Sequence, residues 1–197
     1  ETVNGPQRIR EVNVDSVEVF IRFEGSFVRA AFDPESKYLA MILGSSGSTS
    51  SESTLGVYGL QAGGLAPQLI RAGDFSDLAW DPAGMFLAGG GSGVFGFQPE
   101  GTRFFLAGEE QAHLSPSGNW LIAWGKDGAR LYQPPVSAPL QTLLESPVKN
   151  MLWRPDSKGF FIMSQGTLLA FTFPSLNPEE VAAGFPEDAP GTFIWLE

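Results

Sequence analysis

The stretch Gly91-Ser92-Gly93-Val94-Phe95-Gly96 has the glycine spacing of a dinucleotide-binding turn. That chemistry needs a strand before the turn and a helix after it, so that helix N–H groups meet a pyrophosphate. Here Phe97-Gln98-Pro99-Glu100-Gly101 follows, which is no helix, so the stretch reads as a tight hairpin. His113 is the single histidine. One imidazole cannot build a histidine-cluster metal site, and nothing suggests a Ser-His-Asp set around it. It sits beside Leu114 in an inner strand and reads as a core or loop histidine, with a pH-responsive or ligand-contacting role as the rarer alternative. Acidic neighbours occur at Glu109-Glu110, Glu179-Glu180 and Glu187-Asp188. Adjacent residues on a strand point to opposite faces, which suits acid–base work poorly, so these are expected to be solvated loop charges. A calcium site would need six or more oxygens, which the sequence does not assemble. Gly-x-Ser-x-Gly, phosphate-loop, His-Glu-x-x-His and EF-hand patterns are absent. No catalytic, cofactor-binding or metal-ligating residue is therefore expected.

Composition narrows the class further. The chain has 197 residues, no cysteine, and a net charge of −10 from 22 acidic and 12 basic residues. Thiolate nucleophiles, disulfides and cysteine-ligated zinc are excluded. An acidic domain repels phosphate backbones, so nucleic acid is not an expected partner. Hydrophobic residues make up 43%, with 16 Phe and 5 Trp, enough for a large core. No apolar run approaches the roughly 18 residues of a membrane helix. The chain starts at Glu1, which suggests a processed chain or a piece of a longer one. An extracytoplasmic location is weakly favoured over a cytoplasmic one.

The elements that would hold any site come from a repeat. A strand-like run, a proline, a small or polar residue and a second hydrophobic run recur about Pro34, Pro82, Pro116 and Pro155, at intervals of 48, 34 and 39 residues. A propeller blade takes about 40–45 residues. Two residues before each proline stands Phe32, Trp80, Leu114 or Trp153, and Thr192-Phe193-Ile194-Trp195 echoes the phrase once more. Each copy divides into four short hydrophobic segments: Val28–Phe32, Tyr38–Leu43, Leu55–Leu60 and Gln68–Arg71 in the first, for example. Asp33-Pro34, Asp81-Pro82 and Ser115-Pro116 supply type I turn chemistry. Leu121-Ile122-Ala123-Trp124 and Phe160-Phe161-Ile162-Met163 are apolar throughout, as strands packed on both faces would be. The Gly/Ser-rich segment Gly44–Ser53 reads as a mobile hairpin tip.

These phrases resemble the WD-repeat and TolB-like β-propeller families over about residues 25–185. Residues 115–132 are the nearest match, and Gly56-Val57-Tyr58-Gly59-Leu60-Gln61-Ala62-Gly63-Gly64 looks TolB-like. The Gly-His and Trp-Asp dipeptides of the stricter WD family are missing, so that family's Asp-His-Ser/Thr-Trp arrangement does not transfer. The resemblance implies a single all-β domain over 1–197, a β-propeller of four-stranded antiparallel blades at about 26–72, 75–108, 111–145 and 147–184. Segments Gln7–Val14 and Val17–Phe23 precede the first copy. With a last blade shared between residues 7–24 and 191–197, the ring would have five blades. The alternative is a partial propeller of four-plus blades.

On this architecture function would lie in the loops between blades, at 24–27, 72–76, 108–111 and 145–148. The leading expectation is a non-catalytic scaffold or accessory subunit that binds a protein partner, with Glu24, Asp74, Glu109, Glu110 and Glu145 as interaction residues. The alternatives are a metal-dependent propeller enzyme with a central-channel site, or the propeller domain of a hydrolase or peptidase.

Overall fold

The phrases about Pro34, Pro116 and Pro155 are turns whose hydrogen bonds recur from copy to copy, while residues 81–83 of the second phrase lie outside the described residues. The computed structural model describes residues 7–13, 18–25, 27–44, 53–61, 64–80, 84–98, 103–134 and 136–186. Asp33 N–H donates to Tyr38 O at 3.1 Å and Ser36 N–H to Asp33 O at 3.0 Å. In the third copy Ser115 N–H reaches Trp120 O at 2.7 Å and Gly118 N–H reaches Ser115 O at 2.8 Å. In the fourth, Arg154 N–H reaches Gly159 O at 2.9 Å and Ser157 N–H reaches Arg154 O at 3.0 Å. Proline's fixed φ suits the second turn position, and the residue two later takes a positive φ: 55° at Ser36, 80° at Gly84, 73° at Gly118 and 57° at Ser157. First-position side chains close the turn: Asp33 Oδ1 accepts Tyr38 N–H at 2.6 Å, and Ser115 Oγ accepts Trp120 N–H at 3.1 Å.

The turns join strands of antiparallel sheets. At the N-terminal end β1 (Gln7–Asn13) and β2 (Glu18–Gly25) pair with each other as a two-stranded sheet. Four four-stranded sheets follow, each with its strands paired in chain order. The first holds β3 (Arg29–Phe32), β4 (Tyr38–Gly44), β5 (Ser53–Gln61) and β6 (Gly64–Gly73). The second holds β7 (Asp77–Trp80), β8 (Phe86–Gly89), β9 (Val94–Phe97) and β10 (Arg103–Leu106). The third holds β11 (Gln111–Leu114), β12 (Leu121–Gly125), β13 (Gly128–Tyr132) and β14 (Gln141–Leu144). The fourth holds β15 (Val148–Trp153), β16 (Gly159–Ser164), β17 (Thr167–Thr172) and β18 (Glu179–Ala183). The closing strand expected at 191–197 lies outside the described residues, as do 45–52 of the Gly/Ser-rich segment. Ser53, assigned to that mobile tip, instead opens β5 and is buried.

Side chains alternate between the faces of each sheet, so the core forms between sheets. On β12, Leu121 and Ala123 pack with Met85, Leu87, Val94 and Phe104 of the second sheet. Their neighbours Ile122 and Trp124 pack with Met151, Trp153, Phe160 and Ile162 of the fourth. A third cluster joins Ala40, Ile42, Leu55 and Val57 to Phe86, Ala88, Phe95 and Phe97. We call these three interfaces the 1/2, 2/3 and 3/4 seams.

Two seams carry the same polar fastening. Trp80 Nε1 donates across the 1/2 seam to Ala31 O at 3.2 Å. Trp153 Nε1 donates across the 3/4 seam to His113 O, also at 3.2 Å. Each acceptor is the third residue of its sheet's first strand. Rings line up around each donor: Trp80 stacks on Tyr38 at 6.1 Å and tilts against Phe86 at 5.2 Å. Trp153 lies parallel to Phe173 at 6.5 Å and edge-on to Phe160 at 5.1 Å, while Trp120 stacks on the same Phe173 at 5.0 Å. In the third sheet the tryptophan position is Leu114, which has no N–H to give.

A Trp80→Phe substitution keeps most of the ring burial and removes the donor. We expect a loss of about 1–2 kcal/mol, from the lost indole hydrogen bond to a part-buried carbonyl and the smaller ring area. That corresponds to a melting temperature lower by roughly 2–8 °C for a chain of this size. Calorimetry of this variant beside Trp153→Phe checks it; two unchanged values would mean the indole bonds contribute nothing.

Candidate interaction surface

The second, third and fourth four-stranded sheets are each entered by a short connection: 74–76 before β7, 107–110 before β11 and 145–147 before β15. All three precede the first strand of a sheet, so repetition places them at one end of the assembly. Loops of this kind are solvent-facing and carry function where a rigid scaffold holds them.

Each connection is fastened to the sheet it enters. Asp74 N–H donates to Ser92 Oγ at 2.6 Å, and Ser92 N–H returns a bond to Asp74 O at 3.2 Å. The Ser53 hydroxyl adds a clasp from the preceding sheet, accepting Phe75 N–H at 2.9 Å and lying 2.9 Å from Gly73 O. The Ser164 hydroxyl donates to Pro147 O at 2.7 Å, and Ser146 Oγ lies 2.9 Å from Ser164 Oγ. At the middle connection Glu110 N–H donates to Trp124 O at 2.9 Å. Glu109 then turns inward, where Oε1 accepts from Arg130 Nη1 at 2.5 Å and from the Tyr132 hydroxyl at 3.4 Å. Gly91-Ser92-Gly93 is the β8–β9 hairpin, with Gly93 at φ 120° and a strand after it, so the dinucleotide chemistry has no helix to work with.

The expected interaction residues separate into distinct groups. Glu110 and Glu145 are exposed on connections, and Asp74 is half-buried on another. Glu24, expected in a loop, lies within β2 opposite Arg8. Glu109, expected as a solvated loop charge, is only 3% exposed and belongs to the protein interior. Its Oε2 has no hydrogen-bond partner among the described residues. The Tyr132 hydroxyl is pushed up to about 12, first by burial and then by the Glu109 carboxylate. Arg130 is held further toward its charged form, chiefly by its hydrogen bond to Glu109. Sequence reasoning missed this network because the partners are 21 residues apart. The available signal was Arg130 itself, a charge set inside the apolar run Ala129–Tyr132.

The first strands present a second polar surface. Arg29 Nη1 donates to Asp77 Oδ1 across the 1/2 seam, and Leu78 N–H donates to the same oxygen at 2.8 Å. His113, read as a core or loop residue, stands on strand β11 with an exposed side chain whose ring meets Trp124 edge-on at 5.1 Å. Partial desolvation against the strands around it holds its pKa below the ordinary value, and the Asp77 carboxylate pulls the other way. Among the described residues no group of three or more His, Asp or Glu side chains could hold a metal.

No family model and no curated protein sequence matches this chain. Solved structures do. A chain in the crystal structure of the mitotic checkpoint complex is 15% identical, with a TM-score of 0.59. Sqt1 from Chaetomium thermophilum is 12% identical, with a TM-score of 0.61. Both are WD40 propellers, and together with the four four-stranded sheets they show an all-β propeller fold. Both alignments cover 88% of this chain but only 59% and 52% of the others, so the chain spans little more than half of either.

Two outcomes follow. Because the folded-state pKa of His113 is depressed, the unfolded chain takes up the proton first as pH falls. The stability held by the neutral ring is whole above about pH 6.5 and drains away as pH drops toward the lowered value. His113→Gln should flatten that part of the acid limb in urea titrations at stepped pH, and an unaltered limb would contradict this. Glu109→Ala should cost about 1–3 kcal/mol, a buried pair's loss discounted for the partial exposure of Arg130, and bring the Tyr132 titration down in ultraviolet absorbance.

Proposed function

We propose that this protein is a non-catalytic propeller scaffold that binds a protein partner on the end formed by the connections 74–76, 107–110 and 145–147. The observation carrying this reading is the fastening of every connection to the sheet it enters. Pre-ordered loops lose little conformational entropy on association, which favours binding. The exposed acids Glu110 and Glu145, with a net charge of −10, select a partner segment rich in Lys or Arg. One of the similar structures is itself a multi-protein complex, which agrees with a scaffold role. In the same reading β1, β2 and residues 191–197 supply a fifth blade, and the Gly56–Gly64 phrase is its TolB-like trait.

The test uses Glu110→Lys/Glu145→Lys, since reversal at Glu109 would disturb folding instead of binding. Immobilised wild-type protein should capture a defined partner from native extract, released by moderate salt and absent from the double variant at equal melting temperature. If both proteins retain the same set, or neither retains any, the reading fails.

A further inference from the structure

The three seams can be compared with one another, and the 2/3 seam is the unfilled one. At the 1/2 seam the chain supplies both N–H donors itself: Arg29 to Asp77 Oδ1 and the Trp80 indole to Ala31 O. At the 3/4 seam Trp153 again serves His113 O. One step on from the 1/2 seam the acceptors persist but the donors have changed. Ala79 is the residue equivalent to Ala31 and His113, yet the tryptophan position opposite it is Leu114. Gln111 stands at the strand position that Arg29 occupies two sheets earlier. Both hydrogen bonds of Asp77 fall on Oδ1, and its side chain is 38% exposed.

Space is present where the donors are missing. A cavity of about 20 Å³ lies at this seam, lined on one side by Asp77 and Ala79 and on the other by Gln111 and His113, over a floor of Leu87 and Ala112. It is a little more than one water-sized sphere. A guanidinium or an indole exceeds it, whereas an –NH₃⁺ group is nearly isosteric with water and brings three donors. Asp77, Ala79 and His113 in the lining offer a carboxylate, a carbonyl and an imidazole as acceptors for such donors. A positive charge is also what the side chain of Asp77 already accepts from Arg29.

We infer that the cleft between Asp77–Ala79 and Gln111–His113 at the 2/3 seam is a binding site for a primary ammonium group, the tip of a lysine side chain presented by the partner. This rests on the scaffold reading for its biological partner. The site itself is defined without it, and so is its test.

The probe is N-acetyl-lysine-methylamide, titrated into ¹⁵N-labelled protein in 0.3 M salt to screen the surface charge. The control is the same compound with its side-chain amine acetylated. Saturable shifts are expected at Ala79, Gln111 and His113, with a dissociation constant of about a millimolar, the scale of one charged hydrogen-bonded group. The acetylated control should leave these signals in place. Asp77→Asn should weaken binding at least tenfold. Gln111→Lys places an ammonium there from within and should abolish probe binding while raising the melting temperature. Shifts equal in Asp77→Asn, equal with the acetylated control, spread over the acidic surface, or absent altogether overturn the site. A site that fails while the partner is still captured leaves the scaffold reading intact. A site that holds while capture fails marks a small amine as the ligand.

Discussion

The first strand of each four-stranded sheet pairs only with the second strand of its own sheet, so the neighbouring sheet must be fastened to it by side chains. This constraint organises the molecule. At Ala31 and His113 the donor is an indole from the next repeat, and the same indole places an aromatic stack across the seam. One side chain thus donates to a part-buried carbonyl and buries a large apolar area together. The proline turn just beyond each tryptophan fixes how far the strand runs before it reverses, which keeps donor and acceptor in register.

The second dependence is that three of the core clusters among the described residues lie between sheets. Leu121 and Ile122 are chain neighbours that belong to different clusters. Each buried Leu, Ile or Phe contributes about 1.5–3 kcal/mol, and a sheet taken alone would lose that on both faces. Rigidity of the connections follows from the same arrangement. Serine hydroxyls at 53, 92 and 164 fasten the chain between strands whose packing on both sides already leaves them little freedom.

Much of this was readable from residue order, because turn chemistry and apolar runs are local. Val28–Phe32 and Tyr38–Leu43 prove to be strands, Arg29–Phe32 and Tyr38–Gly44, each within one residue of the boundaries the sequence predicts. Gln68–Arg71 proves longer, Gly64–Gly73, since Pro67 tolerates a position on an outermost strand next to a register shift opposite Tyr58. What escaped were partnerships between repeats. Glu109 looks like any loop acid until Arg130 and Tyr132 close over it. Ser53 ends a Gly/Ser-rich run, and only the fold brings it to Phe75. The recurrence of an aromatic two residues before each proline was visible, yet the indole N–H's purpose needed the neighbouring strand.

The placement of each cluster between sheets also bears on how such a chain changes length. One face of a repeat fits the opposite face of the repeat before it, so the lock and the key recur with the same period. Duplicating or deleting one whole repeat rejoins matching surfaces, whereas a cut through the middle of a sheet leaves two unlike halves. Growth of this architecture is therefore quantised, in steps of one hairpin pair, and each new step carries its own connection and fastening ready-made.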